Sequence, residues 1–189
     1  MESAELIRIL KNGGIGVLAT DTLYGLVGCA LLPEPVARIY CVRKRTNNKP
    51  LILLIGSIAD LEIFGISPES SEVKIAKKYW PGKVSVILPC DNKKFEYLHR
   101  GAKSLAFRLP DAPELLEILK ETGPLVAPSA NPEGKPPALT IEESKKYFGD
   151  EIDFYKDSGK TESEPSVLLK IEGDKVFVLR SGKIFDINL

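Results

Sequence analysis

The chain reads as an α/β protein: a twisted, mixed parallel and antiparallel open sheet flanked by helices. Two observations carry this. Strand-like and helix-like segments alternate through the first part of the chain, and a strand-rich tail follows. At 189 residues and 43% hydrophobic composition, the length suits one large domain with a sizeable core, taken here as residues 1–189.

The elements follow in order. Glu5 to Lys11 carries Leu6, Ile7, Ile9 and Leu10 at near-helical spacing, with Ser3 as a possible cap and Gly13-Gly14 as the stop. Ile15 to Thr20 is the first buried strand. Pro35 to Arg43 reads as a helix with Val36, Ile39, Tyr40 and Arg43 on one face. Pro50 to Ile55 is a continuous apolar run suited to a central strand. Ser57-Ile58-Ala59-Asp60 is a capping box opening a short helix. Glu69 to Tyr79 is the next helix, closed by Trp80-Pro81-Gly82. Val84 to Leu88 and Ser104 to Leu109 are strands. Ala112 to Glu121 is a helix with Pro113 near its start. Leu125 to Ala127 is a short strand, and a second capping box, Thr140 to Glu143, opens a helix to about Phe148. Short strands near Asp153–Tyr155, Val167–Ile171 and Lys175–Arg180 end the pattern, with Gly173-Asp174 turning between the last two.

Charge and cysteine content bound the function. Lys plus Arg and Asp plus Glu both number 26, so net charge names no partner. Pro35 to Ala59 nevertheless holds five basic residues and no acid, whereas Ile141 to Pro165 holds eight acids and four lysines. One face is expected to be electropositive. Cys29, Cys41 and Cys90 show no CxxC spacing, so the pattern indicates neither zinc nor a redox pair. Buried free thiols in a reducing cytosol account for them. The N-terminal residues do not read as a secretory signal, and no apolar run reaches a membrane span, so a cytoplasmic location away from membranes is expected.

The chemistry concentrates where strands end. Val17 to Ala19 runs into Thr20-Asp21-Thr22 and then Gly25, a polar cluster and glycine of the kind found at the ligand-binding ends of α/β sheets. A plain strand-to-helix turn capped by Asp21 or Thr22 is the alternative. Arg43-Lys44-Arg45-Thr46-Asn47-Asn48-Lys49 lies between a helix and a buried strand, with Asn47-Asn48 favouring a turn. Its guanidinium groups suit phosphate, and a solvated or RNA-touching loop is the competing reading. Val126 to Asn131 repeats the opening theme: Ser129 suits a phosphate oxygen, and Asn131, two residues on, suits a base edge or ribose. Arg108 stands in an apolar strand, where a charge needs an ion-pair partner or a ligand. Ser166 and Arg180 also stand at strand ends. The only histidine, His99, falls in a loop and takes no catalytic role. There is no GxSxG elbow, Walker loop or GxGxxG fingerprint. Such a set works by positioning and charge stabilisation rather than by acid–base chemistry.

Taken in order, Thr20 to Leu26, Ile39-Tyr40 with Arg43-Lys44-Arg45, Lys49-Pro50-Leu51, Trp80-Pro81-Gly82, Phe107 to Pro110, Ala127 to Asn131 with Gly134, Pro165-Ser166-Val167 and Leu179 to Gly182 resemble the YrdC-like family, the single-domain threonylcarbamoyl-AMP synthases. The resemblance runs from about Gly13 to Ile184, without the additional C-terminal domain of longer members. It implies a YrdC-like sheet with a central, positively lined cleft. It also implies a nucleotidyl transfer in which L-threonine, bicarbonate and ATP, with magnesium, give threonylcarbamoyl-AMP and pyrophosphate. A separate tRNA threonylcarbamoyl-transfer complex would use the product, and tRNA or double-stranded RNA is a further partner. By the same resemblance, Arg43 and Arg45 act catalytically by holding ATP phosphates. Ser129 and Asn131 hold the nucleotide, Ser166 and Arg180 close over it, and Thr22 and Arg108 face threonine. The set includes no metal ligand. Two positions depart from the family pattern: Arg43 begins a motif that usually reads K-x-R, and Leu54 stands where many members have His. An RNA-binding module of the same fold and a carbamoyl-transfer relative acting on another amine are the alternatives.

Overall fold

The computed structural model describes residues 1–46, 49–161, 164–173 and 175–180. The expected turns at Asn47-Asn48 and at Asp174, and the Ser181-Gly182 pair, lie outside them. The nine-stranded sheet has the order β7-β1-β2-β6-β3-β5-β4-β8-β9, from β1 (Ile15–Ala19), β2 (Tyr24–Cys29), β3 (Ile52–Leu54), β4 (Val84–Pro89), β5 (Ser104–Arg108), β6 (Leu125–Val126), β7 (Phe154–Tyr155), β8 (Val167–Glu172) and β9 (Lys175–Arg180). Parallel pairs (β1–β7, β3–β5, β4–β8) and antiparallel pairs (β1–β2, β2–β6, β3–β6, β4–β5, β8–β9) are mixed, as the interleaved sequence pattern requires.

The helices are α1 (Ser3–Lys11), α2 (Pro33–Val42), α3 (Ser71–Ala76), α4 (Glu96–His99), α5 (Pro113–Thr122) and α6 (Ile141–Phe148), with 3-10 segments at Ile58–Phe64 and Lys93–Phe95. Ser57 and Asp60 form the expected capping box, although the segment it opens is 3-10. Thr140 accepts the Glu143 N–H at the start of α6. Several expectations are corrected. The Thr20–Leu23 cluster closes an antiparallel β1–β2 hairpin and does not lead into a helix. The glycine-rich Tyr24–Cys29 run shows no polar alternation because it is fully buried as a strand. Ser3 is the first helical residue and caps nothing; Glu2 occupies the cap position. The helix expected over Glu69–Tyr79 is only Ser71–Ala76, capped by Ser70, with turns over residues 77–79 before Trp80. His99 lies in α4, not in a loop. Cys29 and Cys90 are buried, but Cys41 is exposed on α2.

Register decides what the two faces of the sheet do. One face presents Val17, Leu26, Leu53, Val86, Phe107, Val126 and Leu169, all fully buried in the larger core cluster, where Phe64 packs on both Phe95 and Phe107. The other face presents Leu18, Val27, Leu54 and Leu125 under α1 and α5, which form a second cluster with them. Nine strands at about 4.8 Å span about 40 Å, and two helices of about 10 Å diameter cover about half of that. The remainder of this face carries Gly25, Ala127, Ile52, Ala106, Ile87 and Leu168. The last four are only half-buried. Small residues there hollow the surface, and this uncovered half-face is the floor of a cleft.

Candidate active site

The cleft has two adjoining chambers that share Ile52, Ser129 and Arg180. The smaller, about 80 Å³, is polar and is lined by Thr20, Thr22, Arg108, Ser129, Ser166 and Arg180 among others. Its wall is the β1–β2 turn. Thr20 fixes that turn by donating Oγ1–H to the Leu23 carbonyl (2.8 Å) and accepting the Thr22 N–H (3.1 Å); the two threonine hydroxyls lie 3.0 Å apart. Arg108 ends β5, with its guanidinium 3.1 Å from the Asp21 carboxylate. It also donates to Thr20 Oγ1 at 3.3 Å. Both side chains of the ion pair are buried, at 4% and 3% exposure. Burial pushes the Asp21 carboxyl up and the Arg108 guanidinium down, and this desolvation outweighs the attraction each gains from its partner. Of the two sequence readings of Arg108, the ion pair is the one present here, and Arg108 still lines the chamber.

The larger chamber, about 360 Å³, has the apolar strand floor of Ile52, Ile87, Ala106 and Leu168, with Arg43, Arg45 and Arg180 at its walls. Arg43 caps α2 and is 3% exposed. Its Nε donates to the Asn131 carbonyl at 2.9 Å and one terminal nitrogen reaches Ser129 Oγ at 3.5 Å. The other, Nη1, is buried without a hydrogen-bond partner. Burial first, and the neighbouring Arg45 second, bring the Arg43 guanidinium down to about 10. Arg45 donates to the carbonyls of Lys49 and Pro50, both at 3.2 Å. Arg180 donates to the Ser166 carbonyl (3.0 Å) and hydroxyl (3.1 Å). Its guanidinium is lowered by burial and then by Arg45. Among the described residues, neither chamber is lined by an acid. Guanidiniums that repel one another across the larger chamber form a site for an anion.

The fold therefore gathers Thr22, Arg108, Ser129, Ser166 and Arg180 around the smaller chamber and Arg43, Arg45, Ser129 and Arg180 around the larger. Ser129 reaches both because the segment after β6 continues along β2: the Leu26 N–H donates to the Pro128 carbonyl and the Ala130 N–H to the Tyr24 carbonyl. Asn131 is the exception. It lines neither chamber, and its amide donates to the Pro132 and Lys135 carbonyls at 2.9 and 2.7 Å. It shapes the loop, because the chain turns after Ser129 and does not stay extended. Leu54 is fully buried beneath α1 and α5, and His99 is buried outside both chambers. Sequence reasoning missed the apolar floor, Ser85 and Glu133. Ser85, whose hydroxyl lies 2.9 Å from that of Ser166, was detectable as a lone hydroxyl in an apolar strand. Glu133 carried no local signal. Among the described residues, no group of three or more His, Cys, Asp or Glu could hold a metal ion, and no helix is long and apolar enough to cross a membrane.

Known proteins resemble this chain in sequence and in fold. The threonylcarbamoyl-AMP synthase of Bacillus subtilis is 32% identical over 185 residues, covering 96% of this chain and 53% of its own, so the chain spans about half the length of that relative. The synthase of Marinobacter nauticus is 35% identical over 145 residues, 75% of each chain. The crystal structure of P. abyssi Sua5 complexed with L-threonine superposes with a TM-score of 0.87 at 27% identity, over 96% of this chain and 55% of that one. The Sua5/YciO/YrdC family model, described as telomere recombination, matches residues 8–182. With a mixed sheet, a half-open face and a match over nearly its whole length, the chain belongs to the Sua5/YciO/YrdC family.

Proposed function

We propose that the protein is a threonylcarbamoyl-AMP synthase, joining L-threonine, bicarbonate and ATP into threonylcarbamoyl-AMP with release of pyrophosphate. The observation that carries this is the junction of the two chambers at Ser129 and Arg180. A small polar chamber suits an amino acid, and a larger one with an apolar floor and acid-free guanidinium walls suits a nucleoside triphosphate.

In this reading the threonine carboxylate meets Arg108, and Thr22 faces the amino acid. The adenine lies on the floor of Ile52, Ile87, Ala106 and Leu168, and the phosphates run toward Arg43, Arg45 and Arg180. The unpartnered Nη1 of Arg43 gains its missing acceptor from a phosphate oxygen. Bicarbonate loses hydroxide to give CO2; the threonine nitrogen attacks the CO2 carbon and its proton passes to that hydroxide, leaving a carbamate and water. A carbamate oxygen then attacks the α-phosphorus, and the bond from that phosphorus to the pyrophosphate oxygen breaks. The protein contributes by placing the two reactants at the chamber junction and stabilising the charge that develops on the phosphates. Among the described residues no carboxylate lines either chamber; magnesium, bound with ATP, would neutralise charge on the leaving pyrophosphate. The product serves a tRNA threonylcarbamoyl-transfer step carried out elsewhere.

The test is pyrophosphate release from ATP and bicarbonate. Release that depends on L-threonine, with labelled carbon entering an adenylate, supports the reading. Release with another amine and none with threonine overturns the substrate assignment, and tight RNA binding without ATP turnover overturns the enzyme assignment.

A further inference from the structure

The loop that carries Arg43 and Arg45 is not held by its own backbone alone. Glu133, on the segment after Ser129, reaches across to it. One carboxylate oxygen accepts the Thr46 N–H (2.7 Å) and the Thr46 hydroxyl (2.9 Å), and the other accepts the Lys49 ammonium (2.6 Å). The Glu133 N–H donates to the Arg43 carbonyl at 2.8 Å. Arg43 Nε returns a bond to the Asn131 carbonyl on the same segment. Lys49, gripped through its side chain, offers its carbonyl to both the Tyr40 hydroxyl (2.9 Å) and Arg45 Nε (3.2 Å). The path from Glu133 to Arg45 is thus a short chain of direct contacts.

We infer that Glu133 is a positioning residue: its carboxylate clasps the loop at Thr46 and Lys49 and so presets Arg43 and Arg45 over the larger chamber before an anion arrives. A carboxylate this close to an anion site is electrostatically adverse to anion binding. Two effects of opposite sign therefore compete, and the structure decides between them. The carboxylate is not among the residues lining the chamber, and its charge is met by Lys49 and the two Thr46 donors, so little of its field is left for the ligand. What remains is the ordering of a loop whose Arg43 and Arg45 guanidiniums repel one another, which without the clasp would be spread by that repulsion.

The inference rests on the larger chamber being the ATP site, and the experiment separates the two. ATP binding to the full chain is measured by calorimetry for the wild type, Glu133→Ala, Glu133→Gln and Thr46→Val. The expected result is about five- to tenfold weaker ATP binding for Glu133→Ala, from the loss of charge-assisted hydrogen bonds that preset the loop. Glu133→Gln falls between it and the wild type. The KM for threonine is unchanged, because the smaller chamber contains neither residue. Thr46→Val removes only the hydroxyl contact and keeps the Thr46 N–H and Lys49 bonds to Glu133, so it weakens binding less than Glu133→Ala does. Unchanged or tighter ATP binding in Glu133→Ala overturns the inference, the latter because it shows that relief of repulsion is the larger effect. Absence of ATP binding in the wild type overturns the reading of the chamber itself.

Discussion

Asp21→Ala isolates the buried ion pair behind the smaller chamber. At 3.1 Å and an effective dielectric of about 20, the Asp21–Arg108 attraction is about 5 kcal/mol. Desolvation opposes it strongly enough that both groups are displaced toward their neutral forms. The intact pair is therefore worth little net stability, but removing one member leaves a guanidinium of 4% exposure without a counter-charge. Breaking such a pair costs about 3–5 kcal/mol, which for a domain of this size lowers Tm by about 6–20 °C. Urea unfolding followed by circular dichroism reads the loss. The discriminating comparison is the double substitution Asp21→Leu with Arg108→Met. It removes both charges and is expected to recover most of the stability while abolishing threonine binding. A single variant that loses under about 1 kcal/mol, or a double variant no better than the single one, would refute the argument that an uncompensated buried charge is the cause.

Three further outcomes follow. Arg45→Ala weakens ATP binding by about tenfold or more, from the loss of a charge-assisted phosphate contact, without lowering Tm, because the side chain sits at a chamber wall where its described bonds are to the Lys49 and Pro50 carbonyls; calorimetry with a parallel melt checks both halves. The Glu133 carboxyl, held down to about 2 by Lys49 and the two Thr46 donors against an ordinary value of 4.5, contributes stability that is fully present above pH 4.5 and is lost as pH falls through about 2. The stability difference between wild type and Glu133→Gln is thus open at pH 6 and closes toward pH 2, and a difference independent of pH would count against the clasp. Gly16→Ala places a methyl 2.3 Å from the Phe154 ring, an overpacking expected to cost about 1–3 kcal/mol, measurable by denaturant midpoint.

Much of this was legible locally. The apolar runs marked the strand positions of β1, β3, β4, β5 and β8 because buried strands need nothing beyond apolar, β-prone residues. The hydroxyls and cations at strand ends marked Thr22, Arg108, Ser129, Ser166 and Arg180, and the basic run after α2 marked Arg43 and Arg45. The hairpin strand β2 was not legible, because a fully buried strand containing two glycines loses both alternation and propensity as signals. Asn131 does not line the chambers beside Ser129, because spacing of two implies one face only while the chain stays extended.

What the sequence determined by itself was the inventory: which side chains are apolar, which carry charge, and which stand where a strand gives way to a loop. Each of those is set by a residue and its near neighbours. Only the tertiary structure decided that Asp21 sits against Arg108, that Glu133 grips Thr46 and Lys49, and that α1 and α5 cover one half of a sheet face and leave the other half open. The two side-chain contacts join residues 84 to 87 positions apart, and they depend on strand order and register, which no short stretch of sequence encodes.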